Sequence, residues 1–202
     1  MLSRVCMSVA VVLLGAGSLS VAALAEVAVR LDPKPFGGTP TPDWNHGWQF
    51  DVNGPIVVTH LGLFDDNDDG FSIDFPIGLF RLSDEVLLTT GTMSAGTGDA
   101  LLDHFRYIDT PDVALQVDET YVIVFYTSRE NSDLVITNAQ NLVVASEITI
   151  TNARGGSHQG GLRLPPDIQA GDRFGPNFQF VPEPSTIGLF GVAVYFGMRR
   201  RR

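Results

Sequence analysis

The run Asp65-Asp66-Asn67-Asp68-Asp69-Gly70 holds more potential chemistry than any other short stretch of this chain. Alternate carboxylate and amide oxygens around a glycine turn match the first half of a calcium loop, D-x-[DN]-x-[DN]-G. Asp65, Asn67 and Asp69 would offer oxygens to a hard cation such as Ca2+, with Asp74 completing the shell. The loop is not an EF-hand: its twelfth position is Pro76 where a bidentate glutamate belongs, and its flanks read as strands. The competing reading is a solvated acidic turn. Against that, crowded carboxylates repel one another without a counter-ion.

Other chemistry-bearing residues are sparser. Gly155-Gly156-Ser157-His158-Gln159-Gly160-Gly161 approaches the G-x-S-x-G nucleophile elbow but has Gln159 where the second glycine is needed. A flexible loop is the simpler reading of so many glycines. His46, His60, His104 and His158 are scattered without metal-ligand spacing. His60 falls on a strand, where a satisfied, partly buried side chain is expected. The neighbours Asp84-Glu85 and Asp118-Glu119 sit where turns are expected, and charged side chains at turns face water. Phe36, Trp44 and Trp48 could form a sugar-stacking platform. Trp48 belongs to an alternating apolar set and is expected in the core, which leaves Trp44.

These residues need a scaffold, and composition bounds it. The chain has 202 residues, enough for one domain once both ends are set aside. Its net charge is −10, which argues against nucleic acid and anionic membrane surfaces as partners. The single cysteine is Cys6, in the leading apolar segment, so the rest of the chain has no disulfide or thiolate nucleophile.

Residues 1–25 read as a secretory signal peptide: Arg4, then an apolar run densest at 9–14, then Ala23-Leu24-Ala25 as a small-residue cleavage site before Glu26. Residues 26–44 form a Pro/Gly-rich lead-in, with an edge strand at 27–31. From 45 to 181 the pattern is β throughout. Trp48, Phe50 and Val52 alternate with Gln49 and Asp51. Further strands are expected at 56–64, 77–82, 85–90, 105–108, 113–117, 142–150 and 178–180. The continuous apolar run 121–126 reads as a central strand. No amphipathic helix stands out. Many short strands separated by turns give an all-β, antiparallel sandwich, jelly-roll-like in character.

Residues 182–202 read as an address rather than as fold. Pro182 and Pro184 stiffen the backbone around Glu183. An apolar run, 187–198, precedes Arg199, Arg200, Arg201 and Arg202. As a helix that run would span about 18 Å, short of the roughly 30 Å bilayer core. Snorkelling arginines would narrow the gap, and they belong on the cytoplasmic side.

The Pro-Glu-Pro, apolar run and basic cluster together resemble the PEP-CTERM sorting signal, also catalogued as an ice-binding-protein C-terminal domain. The resemblance implies recognition by an exosortase, a membrane cysteine protease that cuts near Pro-Glu-Pro, with transient membrane insertion. The product would be at the cell surface, in the extracellular matrix or secreted. The middle of the chain, through G-W-Q-F-D-V, L-G-L-F-D, I-G-L-F, F-R-Y-I, E-T-Y-V-I and G-P-N-F-Q-F, resembles secreted β-domains that often carry this tail. That resemblance implies a jelly-roll-like sandwich and no known activity. The expectation is therefore a non-enzymatic exported protein. The alternatives are an exopolysaccharide-binding module and a secreted hydrolase.

Overall fold

A computed structural model describes residues 24–31, 37–128, 133–138, 142–157, 160–169 and 173–183. These carry sixteen strands. In chain order they are β1 (Glu26–Val27), β2 (Val29–Leu31), β3 (Gly37–Gly38), β4 (Trp44–Val52), β5 (Ile56–Phe64) and β6 (Phe75–Arg81). Then come β7 (Leu87–Met93), β8 (Ala100–Leu102), β9 (Phe105–Leu115), β10 (Thr120–Thr127) and β11 (Ile136–Asn138). The last are β12 (Leu142–Val144), β13 (Ile148–Ser157), β14 (Asp167–Gln169), β15 (Arg173–Phe174) and β16 (Pro176–Pro182). All paired strands run antiparallel.

Two main sheets form a sandwich. One has the order β1-β16-β5-β9-β8 and the other β14-β13-β4-β10-β6-β7. Their inner faces meet in an aromatic core. Trp48 and Phe50 from β4 pack on Phe178 from β16, with ring centroids 5.8 and 5.0 Å apart. The alternation at 48, 50 and 52 thus points to the core, and all three side chains are buried. Trp48 Nε1 donates to Pro176 O at 2.6 Å, which satisfies the one polar atom of the ring.

The apolar run in β10 has a specific cause. Tyr121, Ile123 and Phe125 face the core, while Val122 and Val124 on the opposite face join Phe80 under Leu162 and Leu164. The segment around 162–164 covers the outside of the second sheet. Both faces of β10 are therefore dry, and alternation disappears.

Several expected boundaries move. The strand expected at 85–90 is β7, shifted to Leu87–Met93. The two strands expected at 105–108 and 113–117 are one strand, β9. Its ladder to β5 jumps from His60↔Asp109 to Val58↔Val113, so Pro111 sits in a bulge where its missing N–H costs no ladder bond. The strand expected at 142–150 is instead β12 and β13, separated by a turn at Ser146-Glu147. Gly155, Gly156 and Ser157 are strand residues rather than a flexible loop, because they pair with His46, Asn45 and Trp44.

The lead-in is also more ordered than its prolines suggest. Glu26 and Val27 pair with Phe180 and Gln179. Asn177 is fully buried; its Oδ1 accepts from Val29 N at 3.2 Å, and its Nδ2 donates to Val29 O at 2.8 Å. Residues 26–29 are thus pinned to the last strand, and 29–31 pair with β12. The last strand itself runs two residues past Phe180, to Pro182.

The register fixes two poles. Pro182 pairs with Ile56 and Pro176 with Leu63, so the chain's final strand ends where β5 begins. The acidic loop follows the other end of β5. The nine residues of β5 separate the poles by about 26 Å.

Candidate functional site

The acidic loop is built around a buried ion pair. Phe64 closes β5 in the core, and Asp65 follows it, 3% exposed. Asp65 Oδ2 accepts from Arg106 Nε at 2.7 Å and from Gly70 N at 2.9 Å. Arg106, also 3% exposed, donates through its other nitrogens to the carbonyls of Asp68, Asp99 and Thr97, at 2.9, 3.1 and 3.3 Å. One guanidinium therefore ties the loop to β9 and to the segment before β8. Its planar fork suits this multi-point role. Gly70 has φ 91° and a Cβ there would meet the Gly96 carbonyl, so the turn needs glycine.

The remaining acidic groups spread outward. Asp68 Oδ1 lies 2.9 Å from His104 Nδ1. Asp133 accepts from Ser72 N at 2.9 Å and from Ser72 Oγ at 3.0 Å. Between them lies a cleft of about 340 Å³, lined by Asp65, Asp66, Asn67, Asp69 and Asp133 among others.

The structure splits the set Asp65, Asn67, Asp69 and Asp74. The first three line the cleft; Asp74 does not, and its Oδ1 accepts from Ala95 N at 2.8 Å. Asp65 is turned toward Arg106. Among the described residues, no three His, Cys, Asp or Glu side chains form a group that could hold a metal ion.

The other expected residues are placed as follows. Trp48 is in the core and Trp44 is half-buried at the cleft's pole, outside the cleft lining. Phe36 and His158 lie outside the described residues. His46 stacks on Phe125 with centroids 5.4 Å apart. His60 Nδ1 is 2.9 Å from Thr59 Oγ1, and its Nε2 is 3.9 Å from Asp109 Oδ1. That trio has the members of a hydroxyl–His–Asp relay. However, the Asp109 carboxylate is 88% exposed, and a distance of 3.9 Å is too long for the orienting hydrogen bond. Asp84 is held below the usual carboxylate range by its hydrogen bond from Arg81. Burial pushes the Tyr107 phenol up, and its oxygen accepts from Asn177 Nδ2 at 3.0 Å.

Arg106 escaped the sequence reading. Its signal was available: an arginine inside F-R-Y-I is a charge in an apolar strand, and such a residue is buried only with partners.

At the opposite pole the sorting motif meets the fold. Glu183 is exposed, and its N–H donates to Pro55 O at 2.9 Å. Ala25 is exposed just ahead of β1. Because β1 and β16 are antiparallel, with Glu26 opposite Phe180, the chain enters and leaves the sheet at this same pole. Ala23, Pro184, Arg199, Arg200, Arg201 and Arg202 lie outside the described residues, as do residues 1–22 and the apolar run at 187–198. No helix among the described residues is long and apolar enough to cross a membrane.

A family model of the PEP-CTERM protein-sorting motif matches residues 180–202. That motif marks an exosortase-sorted extracellular protein. No curated protein matches the chain.

Proposed function

We propose that this chain is a non-enzymatic protein of the cell surface or extracellular matrix, delivered by a C-terminal signal that an exosortase removes. The observation that carries this reading is the junction: the sorting motif begins on the last described sheet strand, which ends at Pro182. Everything after Glu183 is address. The apolar run enters the bilayer transiently, with Arg199 to Arg202 as a cytoplasmic stop. Entry and exit at one pole let the signal peptide and the tail share a membrane while the acidic pole faces outward. The non-enzymatic part is supported by how the carboxylates are used: those of Asp65, Asp74, Asp84 and Asp133 accept bonds from structural partners.

In the native host, surface or medium protein should lack Arg199 to Arg202, and Glu183→Ala should accumulate unprocessed chain. Full-length protein at the surface would sink the reading. A second reading, exopolysaccharide binding, draws on Trp44 and the acidic cleft sharing one pole. A glycan array and a hydrolase screen on the exported protein separate the three roles.

A further inference from the structure

The outermost strand of a sheet turns alternate N–H and C=O groups away from its one neighbour, which makes it a template for another strand. Among the described residues, the two main sheets end in four such strands: β1 and β8 in one, β14 and β7 in the other. Three of these edges are guarded. β1 is two residues long and opens with Glu26. β14 is three residues long and opens with Asp167. β8 is three residues long and lies between Asp99 and Asp103. The stretch of β9 that β8 leaves uncovered carries Asp109, Asp112 and the bulge at Pro111. Short length, charge, proline and bulges all discourage one sheet from adding to another.

The β7 edge is longer and barer. Leu87-Leu88-Thr89-Thr90-Gly91-Thr92-Met93 has seven residues, with no charge and no proline. Its ladder to β6 skips Leu88 in a bulge and is regular from Thr89 to Met93. Thr89 and Met93 are buried and fix the strand, while Thr90 and Thr92 are exposed on its outer face. Exposed apolar side chains gather along the same side of the sandwich. Val86 and Leu87 stand at the start of the strand, and Leu101 and Leu102 lie beyond the loop that follows it, each 41–45% exposed. Ser94 N donates to Asp99 Oδ2 at 2.8 Å, which holds that loop closed beside Met93.

We infer that β7 is a self-association edge, and that its partner is the β7 strand of a second copy of this chain. Charge selects that partner. The chain carries −10, so two copies repel over most approaches. Antiparallel pairing centred on Gly91 sets Thr90 of each copy against Thr92 of the other, and Thr89 against Met93. No carboxylate meets a carboxylate, and Thr–Thr pairs across strands are favourable. The same operation on β8, centred on Leu101, sets Asp99 against Asp103 twice. Pairing at β7 also points the Leu87 end of one copy toward the end where the other exposes Leu101 and Leu102. The two six-stranded sheets then join into one of twelve strands. Each copy uses the same edge, so the assembly closes as a dimer.

Sedimentation equilibrium of the exported protein tests the inference, and a concentration-dependent monomer–dimer equilibrium is expected. Thr90→Lys/Thr92→Lys and Thr90→Asp/Thr92→Asp each set like charges opposite one another twice. Each should weaken the dimer by roughly tenfold or more. Mixed together, the two variants should pair Lys against Asp and recover a dimer that neither forms alone. Ile168→Asp, on the β14 edge, should leave the dimer intact. Wild-type protein that stays monomeric at millimolar concentration overturns the inference. So does a dimer that both charged variants form as tightly as wild type, a mixture that recovers nothing, or a dimer lost in Ile168→Asp. Should a charged variant melt early, hydrogen exchange of the wild type decides instead: amides within 89–93 should gain protection as concentration rises, and unchanged exchange there overturns the inference.

Discussion

Two arginine–aspartate pairs sit at opposite poles of the sandwich and do different work. Arg106–Asp65 is dry: both side chains are under 5% exposed, and every other contact of the guanidinium is a backbone carbonyl. Arg81–Asp84 is wet: its side chains are 37% and 43% exposed, and it closes a surface turn three residues long. Water screens the second pair and is absent around the first. The same two residue types therefore hold one loop in place at one pole and decorate a turn at the other. At the dry pole Asp65 and Asp133 are held by structural bonds, while Asp69 lines the cleft. At the wet pole the side chain of Glu183 stays exposed.

The largest effect should come from the dry pair. Arg106→Met leaves Asp65 buried without its cation, and a loss of about 3–5 kcal/mol in urea unfolding is expected. Asp65→Leu/Arg106→Met should recover much of that loss, because replacing both partners removes the stranded charge. A small loss in the single variant would break the comparison, making the two poles equivalent.

Next comes Trp48→Phe. The ring is retained in part, but Pro176 O loses its donor in a dry site. A loss of about 1–3 kcal/mol is expected from thermal or urea unfolding. Sugar binding should be unaffected in this variant, since Trp48 faces the core.

Calcium sharpens the comparison further. With Asp65 and Asp74 already engaged, the melting temperature in millimolar calcium should equal that in chelator. A calcium-dependent rise that Asp69→Ala abolishes would mean that the cleft keeps a cation-binding face apart from the ion pair. Ligand binding to the native state would then stabilise it by mass action.

The smallest effect belongs to Arg81→Ala. The Asp84 carboxyl is lowered by its hydrogen bond from Arg81. Its contribution is therefore present above the ordinary carboxylate range and is lost as pH falls through the lowered value. The pair is exposed and screened by salt, so the melting temperature near neutral pH should not move measurably. A clear drop, together with an acid-unfolding midpoint shifted upward, would show the turn to be a structural clamp after all.

Sequence pattern alone was enough for the fold class, because strand periodicity is local. Alternation at Trp48, Phe50 and Val52 fixes which face is dry, and the β-branched and aromatic run in β10 admits only a strand buried on both sides. The sorting tail was legible for a similar reason: stiff prolines, an apolar run and terminal arginines carry their meaning in order and spacing. What the pattern could not supply is everything that depends on residues far apart in the chain. Arg106 reaches Asp65 across 41 positions, and that contact gives the acidic loop a buried ion-pair joint that no local pattern shows. Phe180 meets Glu26 across most of the chain, and only that pairing puts entry and exit at one pole. Bulges such as the one at Pro111 erase boundaries that a proline predicts, because a neighbouring strand supplies the remaining bonds. Local propensity names the elements. Which of their polar groups remain available for chemistry is decided by what the other strands bring alongside.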